Sequence, residues 1–239
     1  MSSHGPAVKG AFTYTDAMLD ALEASLSPER LATYVLRASG DRTRAVRLYT
    51  WNTAISAAFY GPLQGLEVAL RNAMHRELSA RFGAAWYDNP ACGLDLGTEG
   101  RIAAARSELR RDGYVDDPPH VVATLSFGFW VALLGAGGRL AGPGRANYEM
   151  TLWRPALFRA FRNAKISRKN AHAPLDYQRT FRNRIAHHER ILDRHLAKDF
   201  ASILDVAGWI SPHTRNWILH HSRVDQLLAQ SPDDPGLMF

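Results

Sequence analysis

The sequence predicts an all-α fold, a helical bundle with additional helices. Three features predict it: apolar residues recurring at helical spacing, capping residues placed just before those runs, and no convincing alternating stretch. No internal repeat is visible, so the 239 residues read as one domain around one core. Residues 1–10 and 231–239 read as flexible tails, the second with two prolines and a glycine, and the domain spans 11–230.

Thr15 caps a first helix that reaches about Ser25. Ser27-Pro28-Glu29 supplies a cap and then a proline at the first helical position, where its missing N–H has no partner to lose. Gly40 stops this helix and Asp41 caps the next. The stripe Val46, Tyr49, Thr53, Ala57 and Tyr60 leads to Gly61-Pro62, a break or kink. Leu66, Leu70, Met74 and Leu78 resume it over Leu63 to Phe82, with Gly83 as stop. Asp88–Gly97 reads as a loop and Thr98–Arg111 as a polar, Ala-rich helix. Pro118-Pro119 opens one apolar helix reaching about Leu134. Five glycines and a proline make Gly135–Gly144 a loop or hinge. Further helices are expected over Tyr148–Arg162, Leu175–Ile191, Arg194–Ile210 and Pro212–Ala229.

Composition narrows the class. With 46% hydrophobic and 22% charged residues the chain matches an ordinary globular protein rather than a disordered one. The longest apolar run, Val121 to Ala136, is interrupted and too short for a bilayer, so no membrane span is expected. The first residues lack a basic region followed by an apolar one, which predicts a cytoplasmic protein. A single cysteine, Cys92, suits a reducing compartment and reads as a small buried residue. The net charge is +6, but its distribution says more. Arg154 to Arg194 holds eleven Lys/Arg against three Asp/Glu, which leaves 18 basic against 20 acidic residues elsewhere. An acidic partner should meet this segment.

That segment contains "RNRIAHHERI", Arg182 to Ile191. A zinc-protease reading of His188-Glu189 fails, because Leu192 stands where the second histidine would be. The remaining histidines form no ligand cluster, so no metal is expected. The glycine-rich loop lacks the lysine of a phosphate cradle, and no serine sits in a strand-turn-helix elbow. On a helix Asn183 and His187 share a face. Arg182 and His187 point about 140° apart, so they converge only through the reach of arginine, helix distortion or a second subunit.

Here the sequence resembles a known family. "FRNRIAHHERI" is similar to the signature of the Abi-like (abortive infection) proteins of the HEPN superfamily: Arg, often Asn next, then His after four to six intervening residues. "YGPLQGLEVALRNAMHREL" (Tyr60 to Leu78) and "LSFGFWVALL" followed by "YEMTLW" (Leu125 to Trp153) resemble the same family, so the likeness spans most of the chain.

The resemblance implies a HEPN-type helical bundle that dimerises through its motif helices and cuts RNA without a metal or cofactor. Arg182, Asn183 and His187 would be catalytic. RNA carries its own nucleophile, the 2′-OH; His187 would move protons and Arg182 would stabilise the phosphorane. An antitoxin, protein or small RNA, would restrain such a toxin or phage-defence effector. The "LExxLRN" pattern makes Glu67 and Arg71 supporting candidates, against a plain charge ladder that His75 continues. His188 reads first as a surface residue and second as a phosphate contact. Glu189, seven residues after Arg182, either positions that arginine or forms a surface pair. Arg168, Lys169, Arg179, Arg184 and Arg190 are the expected RNA-backbone contacts. For Phe127, Phe129, Trp130 and Trp153, base stacking competes with core packing, and their apolar setting favours the core. The alternative is a non-catalytic RNA-binding or assembly module with a HEPN fold.

Overall fold

Local capping sets the first three helices. In the computed structural model, which describes residues 12–239, Thr15 caps α1 (Asp16–Leu26) by accepting the Met18 N–H. Ser27 caps α2 (Pro28–Arg37) through the Arg30 N–H, and Asp41 caps α3 (Arg42–Phe82) through the Arg44 N–H at 2.9 Å. The expected tail at residues 1–10 lies outside the described residues.

α3 corrects the first expectation. Gly61-Pro62 does not divide it: the helix runs 41 residues, about 60 Å at 1.5 Å per residue. Pro62 deprives the Ala58 carbonyl of its helical donor, a cost of about 3 kcal/mol. Unbroken packing offsets it. Ile55, Phe59, Leu63 and Leu66 are all buried on either side of the proline. The local breaker loses to the core.

α4 (Leu96–Arg111) follows two short 3-10 turns and is capped by Asp95. The single apolar helix expected to reach Leu134 is two, α5 (Pro118–Thr124) and α6 (Phe127–Ala132), because Ser126 caps a new start through the Phe129 N–H. Phe127, Phe129, Trp130 and Trp153 are buried, as their apolar setting implied. Trp86 packs among Tyr87, Phe129 and Trp130 and donates to His75 Nδ1 at 3.1 Å. The Cys92 thiol is fully buried, and burial pushes its pKa up to about 12.

The glycine-rich loop folds on itself through an isolated antiparallel bridge between Arg139 and Arg145. Gly137 has φ +90°, and a Cβ there would stand 2.6 Å from the Ala146 carbonyl oxygen, so glycine is required. Asp95 joins loop and helix: its carboxylate accepts the Thr98 N–H at 2.7 Å and the Gly138 N–H at 2.6 Å. Burial works to raise the Asp95 pKa, and those N–H groups outweigh it, leaving the carboxyl below its usual range.

Tyr148–Arg162 is not an α-helix but a π turn (Glu149–Trp153) and a 3-10 turn (Leu157–Phe161). α7 (Arg168–Ala186) starts seven residues before the expected Leu175, because Ser167 caps it. α8 (Leu196–Ile210), α9 (Pro212–His221) and α10 (Val224–Ala229) follow. The sequence predicts one helix for the last two; a break at Ser222-Arg223 separates them. Beyond α10, Leu237 packs against the core and Asp233 stands 3.9 Å from Arg44 and 3.8 Å from Arg47. Helices and turns carry the fold: it is all-α, with α3 packed against α2, α7, α8 and α9. Among the described residues no helix is long and apolar enough to cross a membrane.

Candidate active site

Leu175, Gln178, Phe181 and Ile185 are the buried stripe of α7. Phe181 stands edge-on to Phe59 of α3, ring centroids 4.9 Å apart, and Phe59 meets Phe200 of α8 at 6.2 Å. That three-helix contact fixes the rotation of α7 one residue before Arg182. Arg182 and Asn183 are consequently half-buried at the edge of the stripe, and Arg184 is exposed.

The helix does not continue to Ile191. It ends at Ala186, with His187 as its cap and His188 in the left-handed region at φ +56°. The His188 N–H donates to the Ile185 carbonyl at 3.0 Å and the Glu189 N–H to the Arg184 carbonyl at 2.8 Å, the paired bonds of a Schellman turn. An Arg184–Glu189 ion pair at 3.1 Å occupies the place where such turns usually carry an apolar contact. Two long-range bonds hold the turn. Arg30 of α2 donates to the His188 carbonyl at 2.6 Å, and Asn52 of α3 accepts the buried Ile191 N–H at 2.9 Å.

Glycine is the residue that a left-handed cap favours, and a side chain there costs about 1–2 kcal/mol. A His188→Gly variant is therefore expected to gain about 1 kcal/mol and to melt about 2–4 °C higher. Thermal denaturation checks it; a lower midpoint would mean that the imidazole stabilises the turn by more than the backbone relief.

Arg182 points into a cavity of about 220 Å³ that Glu67 and Arg71 of α3 also line. Arg182 Nε is 3.7 Å from Glu67 Oε2, a charge contact beyond hydrogen-bond length, which leaves the guanidinium free to engage another oxyanion. Three residues singled out in the sequence thus meet at one place. His75 leaves that ladder: burial, then Arg71, holds it below its ordinary pKa. His187 is exposed beyond the helix end, outside this cavity, and its N–H donates to the Asn183 carbonyl at 2.9 Å. Neither the Asn183 nor the His187 side chain makes a hydrogen bond among the described residues.

Glu189 does not serve Arg182. Placing it on that arginine's side assumed a helix running on past Ala186, and the turn delivers it to Arg184 instead. Arg168 is a second correction. Its side chain is 9% exposed, bonded to Glu149 at 3.1 Å and to the Leu134 carbonyl at 2.6 Å, so it ties α7 to the core and not to a surface. Lys169 is exposed. Arg179 pairs with Asp176 at 2.8 Å and Arg190 with Asp193 at 2.7 Å.

Most of the basic surplus is matched in space. Of the eleven cations between Arg154 and Arg194, eight have a carboxylate partner, and Glu67, Glu77, Glu149 and Asp199 lie outside the segment. Arg194 and Asp199 form the most enclosed of these pairs, at 2.9 and 3.2 Å, with the guanidinium 4.6 Å from the rings of both Tyr177 and Phe181. Sequence reasoning missed Arg30, Asn52 and this pair, because nothing local marks residues that act across the fold. No family model, curated protein or solved structure matches the chain.

Proposed function

We propose that the chain is a metal-independent endoribonuclease of the HEPN type, acting as a toxin or abortive-infection effector that a protein or small-RNA antitoxin restrains. The convergence of Arg182, Glu67 and Arg71 on one cavity beside the turn that carries His187 supports this reading. The resemblance of the motif and of the two earlier stretches supplies the chemistry. A phosphodiester seated against Arg182 offers its neighbouring 2′-OH as nucleophile. His187 removes that proton as the oxygen attacks phosphorus, and Arg182 stabilises the charge on the phosphorane. The imidazolium so formed returns its proton to the departing 5′-oxygen, and Asn183 orients the imidazole or the phosphate. The products are a 2′,3′-cyclic phosphate and a 5′-OH.

One observation favours the non-catalytic RNA-binding or assembly module. Within a single chain His187 stands outside the Arg182 cavity. A homodimer that lays the end of α7 of one copy against α3 of the other restores the pairing, and both copies then gain a complete site.

Purified chain incubated with total RNA in EDTA is expected to release fragments with cyclic-phosphate and 5′-OH ends, and its solution mass is expected to be that of a dimer. Strict dependence on added Mg²⁺ would exclude the mechanism. Full activity of a monomer at nanomolar concentration would exclude the shared site.

A further inference from the structure

A second cavity, of about 370 Å³, opens on the other side of the motif turn, between α2 and the segment that follows α7. Arg30, Tyr34, Arg184 and Arg190 line it together with Glu189 and Asp193. Its charges do not balance. Arg184 is matched by Glu189 and Arg190 by Asp193, and Arg37 of α2 pairs with Asp193 as well. Arg30 has no carboxylate partner among the described residues: its Nε donates to the Tyr49 hydroxyl at 3.0 Å and one Nη to the His188 carbonyl at 2.6 Å.

Tyr34 is the second and independent observation. Its side chain is 4% exposed, yet it lines the cavity, and its hydroxyl makes no hydrogen bond among the described residues. The residue is held in the core, and it meets the cavity without a protein partner for its hydroxyl among those residues. Burial first, then the adjacent Tyr49, holds the phenol above its usual pKa against the pull of Arg190, Arg30 and Arg37, so at neutral pH it is a donor. A free donor beside an unbalanced set of guanidiniums matches the recognition pattern of an oxyanion.

We infer that this cavity is a phosphate-binding site, formed by Arg30, Arg190 and the Tyr34 hydroxyl. The phosphate belongs either to the backbone of an RNA strand or to a free phosphate or phosphomonoester. A strand lying over the motif turn would meet a row of neighbouring cavities. The cavity shares Arg30 and His188 with a neighbour of about 480 Å³, and that neighbour shares Tyr60 and Ile185 with the Arg182 cavity. The RNA source rests on the ribonuclease reading; the site itself does not.

Calorimetric titration of the full chain with inorganic phosphate, at constant ionic strength, tests the site. Saturable binding is expected, roughly tenfold weaker in Tyr34→Phe and in Arg190→Gln, the size of one lost hydrogen bond to a charged group. Tyr34→Phe keeps the ring in the core, and a melting curve checks that it folds. No saturable binding by the unaltered chain, or equal affinity in all three proteins, overturns the site. A 2′-O-methyl oligoribonucleotide, which cannot be cut, separates the sources. Weaker oligonucleotide binding in Tyr34→Phe, with displacement by inorganic phosphate, supports the strand. Unchanged oligonucleotide binding, with phosphate affinity lost, supports the free ligand. Absent phosphate binding with RNA cleavage intact removes this site and leaves the ribonuclease reading standing, and the opposite result does the reverse.

Discussion

His187→Ala is expected to lower the rate of RNA cleavage by roughly 10²–10⁴, the usual contribution of a general acid–base group. Its stability should stay within about 0.5 kcal/mol of the parent, because the side chain is exposed and the N–H bonds that cap the helix belong to the backbone. RNA affinity should also change little, since the loss falls on proton transfer rather than on uniform binding. The discriminating measurement is single-turnover cleavage at saturating protein. Parent-like rates in the variant would remove His187 from the mechanism and leave the RNA-binding module as the better reading.

Asp199→Ala is expected to be the most destabilising of the single changes considered, by about 3–5 kcal/mol. Asp199 is 2% exposed and Arg194 12%, so the substitution leaves a guanidinium enclosed among Tyr177 and Phe181 without its counter-charge. Urea unfolding should show a lower midpoint with an unchanged slope. Adding Arg194→Met should recover part of the loss, because two apolar groups replace a stranded charge. A midpoint shift worth less than about 1 kcal/mol would mean that water reaches Arg194 in solution.

The contrast between these two residues explains what was legible in the sequence. His187 lies in a short motif whose chemistry can be weighed from its neighbours. Asp199 reads as an ordinary helical aspartate until its partners are in place. The same division runs through the fold. Thr15, Ser27 and Asp41 announce helix starts because a cap bonds within three residues of itself. Gly61-Pro62 misleads because the packing of Phe59, Leu63 and Leu66 of α3 in a core shared with several other helices outweighs a local breaker. The end of α7 is hidden for the opposite reason: neither glycine nor proline marks it, and His188 takes the conformation that glycine would signal. Arg168 reads as a surface cation because Glu149 and the Leu134 carbonyl are remote in sequence. Glu67 beside Arg182 was accessible only through the family resemblance, and Tyr34 and Arg30 carried no signal at all.

The two bonds that hold the motif turn have a consequence for when the site comes into being. Arg30 reaches the His188 carbonyl across 158 residues of chain, and Asn52 reaches the Ile191 N–H across 139. Contacts so distant in sequence form after the local helices, since the entropy of closing the intervening loops must be overcome first. During synthesis α2 and α3 emerge and fold long before the turn exists. Its local bonds can close at the end of α7, but the turn is fixed in place only when the last third of the chain docks back onto that older surface. A ribosome carrying the unfinished protein thus exposes helices but no assembled centre, and the arrangement around the motif turn comes into being only after the chain has been made past Ile191.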